Sequence, residues 1–159
     1  MVSDKFVPMR IVAMKDREKV VSELQERFGI KDVPGTLVMR GRERLYLYSG
    51  NFESWKLKKL EENVIIERVG VYFAKMVDDK IKLSIEGVSL LRNQITKNIF
   101  EMDDKSTDDW IRGRDLNIKT GLYGFLAMKN KNDFFGIGKA SENKIGNFIP
   151  KSRRVRDRG

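Results

Sequence analysis

The chain has 159 residues, 40% of them hydrophobic and 35% charged, and a formal net charge of +9 from 32 Lys and Arg against 23 Asp and Glu. It contains no Cys and no His, which excludes thiol nucleophiles, disulfides, the usual zinc sites, Ser-His-Asp and Cys-His catalysis, and histidine acid–base chemistry. The apolar runs are too short to cross a bilayer, and the opening Met-Val-Ser-Asp-Lys lacks a signal peptide's apolar stretch, so the expectation is a cytoplasmic protein without a membrane partner.

Residues 10–14 read as a short strand. Asp16 is placed to N-cap a helix running to about Arg27, with Val20, Val21, Leu24 and Phe28 on one face and Gly29 as its stop. Pro34-Gly35 makes a turn, and Thr36–Arg40 and Arg44–Tyr48 form a hairpin through Gly41-Arg42-Glu43. Residues 52–60 are a short helix or a loop. Strand-like segments resume at 64–67 and 69–76, and Lys80–Leu83 follows a turn at Asp78-Asp79. Ile85–Leu91 reads as a short helix or turn, 99–102 as a strand, and 103–114 as a capped helix around Trp110 that ends near Gly113.

Three closing strands follow, within 121–129, Asp133–Ala140 and 144–154. Glycines inside strands mark bulges, bends or close backbone approaches, so this region suggests a small curved β-barrel. Cations gather on its last strand: residues 139–159 hold seven basic and two acidic side chains, whereas residues 1–66 hold 13 and 10. A concentrated basic surface attracts a polyanion because binding releases the counterions condensed on nucleic acid. RNA is the first candidate.

The order of these pieces resembles the PUA domain, a small RNA-binding pseudo-barrel. The resemblance rests on Leu83-Ser-Ile-Glu-Gly-Val-Ser-Leu-Leu91, Asn98-Ile-Phe-Glu-Met102, Tyr123-Gly-Phe-Leu-Ala127 and Phe135-Gly-Ile-Gly-Lys-Ala140. The ending Asn147-Phe-Ile-Pro-Lys-Ser-Arg-Arg154 is similar to the PUA-like C-terminal domain of archaeal and bacterial Sun/Fmu-type RNA cytosine-5 methyltransferases. Stand-alone archaeal PUA proteins of ribosome biogenesis share that logic. The resemblance implies an α+β protein: a small N-terminal α/β unit over 1–63, a PUA-like pseudo-barrel over 64–154 and a basic tail over 155–159. It also implies a non-catalytic role in RNA modification or ribosome biogenesis, with structured rRNA or tRNA as partner. The catalytic Pro-Cys segment of those methyltransferases cannot exist in a chain without Cys, and no cofactor or metal is expected.

The candidate RNA-binding residues are Gly87, Arg92, Lys139, Lys144, Lys151, Arg153 and Arg154. Gly87 occupies the place where PUA domains let an RNA backbone approach, and Arg92 lies on the same edge. On a strand, Lys151 and Arg153 would share one face, with Arg154 on the other. Guanidinium groups grip phosphate bidentately or stack on bases. Lys139 and Lys144 extend the patch if their hairpin folds alongside. Trp55, Tyr46 and Tyr48 are stacking candidates whose alternative is core packing. Gly136-Ile-Gly138-Lys139-Ala140 lacks the third glycine or the Gly-Lys-Ser/Thr of a phosphate loop and reads as a bent strand.

Two other functions remain open from the residues. An adaptor for an RNA methyltransferase or ribosome-assembly protein would show a large apolar patch on residues 1–63. An RNA enzyme would need a deep pocket that groups an acid with Lys or Tyr.

Overall fold

The computed structural model describes residues 8–48 and 70–156. The expected elements at 52–60 and 64–67, Trp55 and the position of the expected boundary near 64 lie outside them. Five strands, β1 (Met9–Ile11), β2 (Thr36–Arg40), β3 (Arg44–Tyr48), β4 (Val71–Val77) and β5 (Lys80–Leu83), form an antiparallel sheet in chain order. Arg40 faces Arg44 across the predicted hairpin, and Leu47 of β3 faces Val71 of β4. The β4–β5 turn is tight because Asp78 and Asp79 both take the left-handed conformation, at φ 50° and 61°, as a two-residue hairpin of this twist requires.

Helix α1 (Met14–Phe28) buries Val20, Leu24 and Phe28. It begins earlier than expected. Ala13 is its N-cap, with no side-chain cap bond, and Asp16 lies inside the first turn, where a carboxylate complements the helix dipole. Gly29 ends the helix at φ 77°; its N–H donates to Gln25 O at 2.9 Å, and Ile30 N–H donates to Leu24 O at 3.4 Å.

Helix α2 (Ile85–Leu91) follows β5 directly. Ser84 Oγ accepts from Gly87 N–H at 2.9 Å and donates to Tyr72 O at 2.6 Å, which ties the helix start to β4. Gly87 is buried, and a Cβ there would collide with the Phe73 carbonyl oxygen and lie 3.3 Å from Leu83 Cδ2. The close approach this glycine permits is therefore between α2 and β4.

The second sheet has the order β6 (Ile99–Glu101), β7 (Gly124–Asn130), β8 (Asp133–Ala140) and β9 (Ile145–Asn147). Its β6–β7 pair is parallel and the others are antiparallel. Helix α3 (Asp104–Ile111) is capped by Asp103, whose side chain accepts from Ser106 N–H at 2.7 Å. That helix delivers Trp110, fully buried, with Nε1 donating to Phe135 O at 2.8 Å. Gly138 makes room for it: an added Cβ would lie 2.8 Å from Trp110 Cη2 and 2.6 Å from Ile145 Cγ2.

The last strand is shorter than the sequence suggests. Asn147 diverts the backbone, with Oδ1 accepting from Ile149 N–H at 2.8 Å and Nδ2 donating to Trp110 O at 2.8 Å. Pro150, with no N–H to give a ladder, then leads into a single 3-10 turn, Lys151–Arg153. The expected alternation of Lys151, Arg153 and Arg154 along a strand does not occur.

One apolar core joins the sheets, running from Leu24 and Phe28 of α1 through Leu45 and Phe73 to Phe125 and Ile137. A second core, around Trp110, Leu126, Met128 and Ile145, lies within the later half. The fold is α+β. Among the described residues, no helix is long and apolar enough to cross a membrane.

Candidate nucleic-acid interface

The structure separates the expected cations into two groups. Arg92, Lys139 and Lys151 are exposed and carry no ion pair among the described residues. The other three are held by the protein. Lys144 Nζ lies 3.0 Å from Asp115 Oδ2, and Asp115 also accepts from Asn147 N–H at 2.8 Å. These bonds hold the Asp115 carboxyl below its usual value, the Asn147 N–H being the larger cause. Arg153 is paired with Glu86 at the start of α2. Arg154 donates from Nε to Ile149 O at 2.9 Å and packs against the backbone at Gly113. Of the stacking candidates, Tyr46 is 4% exposed and belongs to a small core with Met9 and Val38.

A cleft of about 530 Å³ opens where the first sheet meets the end of β9. Arg44, Lys75 and Lys82 enter it from β3, β4 and β5, and Arg153 from the 3-10 turn. Phe148 stands at its wall, 39% exposed and edge-on to Phe125 at a centroid distance of 6.3 Å. The Lys82 ammonium lies 4.1 Å from the centre of the Phe148 ring, a distance at which the ring quadrupole attracts a cation. Burial, and next the charge of Lys75, lower the pKa of Lys82 below its ordinary 10.5. Burial raises the Tyr72 phenol above 10.0, against the opposing pull of Arg44 5.9 Å from its ring.

Sequence reasoning singled out none of Lys75, Lys82 or Phe148. The residue types were visible, and so was the hairpin that sets Arg40 opposite Arg44. Their convergence depends on β3 pairing with β4 across residues 49–70 and on the chain after β9 reaching α2. Both contacts are distant in sequence.

Residues 97–155 match the family model described as the methyltransferase RsmF PUA domain. This region is a PUA-like domain. It resembles the C-terminal domain of Sun/Fmu-type methyltransferases, and its span covers β6 to β9, α3 and the Lys151–Arg153 turn. No curated protein matches the chain. PUA domains serve RNA binding in RNA-modification enzymes, so the cleft joins a matched wall, Phe148 and Arg153, to the cationic strands that precede it.

Proposed function

We propose that the chain is a non-catalytic RNA-binding protein that takes structured rRNA or tRNA into this cleft, in the cytoplasm, during RNA modification or ribosome biogenesis. The observation that carries the reading is a half-exposed aromatic ring under a lysine, Phe148 and Lys82, with Arg44, Lys75 and Arg153 lining the same cleft. Arg44, Lys75 and Lys82 capture phosphates, and the ring offers a π-face to a base that has left its helix. An RNA methyltransferase or assembly factor would supply the chemistry.

The cleft also contains Glu86 and Tyr72 beside Lys82, the residue types that an RNA enzyme would require. Glu86 is committed to Arg153, and the Tyr72 phenol is driven away from neutral-pH proton transfer. Both facts favour binding. Among the described residues, no group of three or more acidic side chains is placed to hold a metal ion. In the described part of residues 1–63 the exposed large hydrophobic is Met14 alone, so the described residues there present no apolar patch of the kind an adaptor would use.

Anisotropy titration of labelled tRNA and rRNA fragments across a salt series tests the reading. Lys82→Glu combined with Phe148→Ala is expected to weaken binding about a hundredfold, since base stacking alone is worth about 1–3 kcal/mol. Unchanged affinity in that variant contradicts the assignment. Turnover of RNA by the purified chain contradicts the non-catalytic role.

A further inference from the structure

The first sheet carries a row of four cations in direct cross-strand register. Arg40 on β2 faces Arg44 on β3, Arg44 faces Lys75 on β4, and Lys75 faces Lys82 on β5. Cross-strand partners lie on the same face of a sheet, and like charges opposite one another are destabilising. A sequence selected only for stability would alternate signs here. Among the described residues, Glu43 is the carboxylate that approaches, 3.8 Å from Lys75 and itself largely exposed.

The row does not end at its neighbours. At the Lys82 end it enters the cleft beneath Phe148. At the other end Arg40 borders a shallow depression with Arg42, Glu43 and Arg44, and its Nε is buried without a hydrogen-bond partner. Among the described residues, none fixes the orientation of that guanidinium through its Nε. The register shift between Leu45 and Tyr46 is what aligns Lys75 with Arg44 while Tyr72 stays beside Tyr46. Without that bulge the two would not both fall on this face.

We propose that the row Arg40–Arg44–Lys75–Lys82 is a phosphate track for an unpaired RNA strand, leading across the sheet into the cleft where Phe148 receives a base. The track rests on the function proposed above and lies wholly outside residues 97–155, the segment that matches the PUA family. Three strand spacings of about 4.8 Å make it roughly 14 Å long. That length suits a short stretch of a single RNA backbone. Turning a base out onto Phe148 costs unstacking and unpairing energy that is least for a base already single-stranded, so the occupant proposed is an unpaired strand.

The test compares wild-type protein with Arg44→Gln/Lys75→Gln, a substitution at exposed or half-exposed positions that relieves repulsion and is expected to fold, as thermal melting verifies. The probes are labelled oligouridylates of increasing length, the same strand annealed into a duplex, and tRNA. Wild type is expected to gain affinity with length until the row is filled, and to prefer the single strand to the duplex. The variant is expected to lose that gain, and its log–log salt slope should fall by about 1.4, at about 0.7 per phosphate no longer neutralised. An unchanged slope and length dependence in the variant overturns the track; because Arg44 and Lys75 also line the cleft, Phe148→Ala then decides the cleft assignment, which stands if that variant loses tRNA affinity and falls if it does not. Equal affinity for duplex and single strand overturns the claim that the strand is unpaired. Failure of wild-type protein to bind any of the RNAs overturns the track together with the function it rests on.

Discussion

Two sets of cations on this molecule have the same formal charge and opposite fates. Three of those that crowd the C-terminal sequence are used by the protein itself, Lys144 paired with Asp115, Arg153 with Glu86 and Arg154 bonded to the Ile149 carbonyl, while Lys139 and Lys151 stay exposed. Those on β2 to β5 are spread thinly along the chain, yet the sheet assembles them into a single row that runs into a cleft. Charge counted along a sequence measures what is available; what remains for a ligand depends on which carboxylates and carbonyls the fold brings near. Cations bonded to carboxylates or carbonyls chiefly stabilise the fold, whereas those of the row face one another, with the largely exposed Glu43 near Lys75 as the carboxylate found beside them among the described residues.

The comparison can be broken at several points. The largest expected effect concerns Gly87, which the sequence places at an RNA contact and the structure places against β4. Gly87→Ala should destabilise the protein by about 2 kcal/mol through overpacking on the Phe73 carbonyl, measured by urea unfolding. RNA affinity of the folded fraction should be unchanged. A loss of affinity at undiminished stability would restore Gly87 to the interface.

Arg154→Ala follows, with a stability loss of about 1 kcal/mol from the missing Ile149 bond and Gly113 contact and little change in binding. Smaller again is the acid response of the Asp115 site. Its folded pKa is depressed, so its contribution is complete above the unfolded value of 3.8 and is lost as pH falls through the lower folded value. Given the exposure of the pair, the contribution should be about 1 kcal/mol or less. Asp115→Asn should flatten the stability curve in that acid window, as thermal melts at stepped pH would show.

Lys82 sharpens the other side. Because its folded pKa is lowered, the native protein binds fewer protons than the unfolded chain between that value and 10.5, so stability rises with pH through the window. RNA affinity should fall across the same window. Lys82→Arg, which retains its charge there, should abolish the alkaline fall; a fall of equal size in the variant would remove Lys82 from the site.

The local parts of the fold were legible because their signals are local. Thr36–Arg40, Arg44–Tyr48, Lys80–Leu83 and Asp133–Ala140 occur where turn residues and alternation place them. Trp110 anchors the helix expected around it, and Gly29 stops α1. Asp16 misled because a carboxylate in a first turn and one at an N-cap look alike in sequence. The final strand misled because the side chain of Asn147 ends the ladder before the cations begin. The family resemblance was drawn over residues 64–154, and the family match bears it out over residues 97–155. It gave no view of the row, which belongs to strands before that segment and exists only through their register. Phe148 had no local signal to single it out; it is 39% exposed and reaches the cleft beside Lys82.

The most direct measurement sets the two groups of cations against each other: salt-dependent RNA affinity of wild type, Arg44→Gln/Lys82→Gln and Lys144→Gln/Arg154→Gln, each confirmed as folded. The sheet variant should bind about tenfold or more weakly, with a salt slope lower by about 1.4, while the C-terminal variant keeps the wild-type slope and affinity. The reverse pattern, with slope and affinity lost only in the C-terminal variant, would contradict the account and return the interface to the end of the chain.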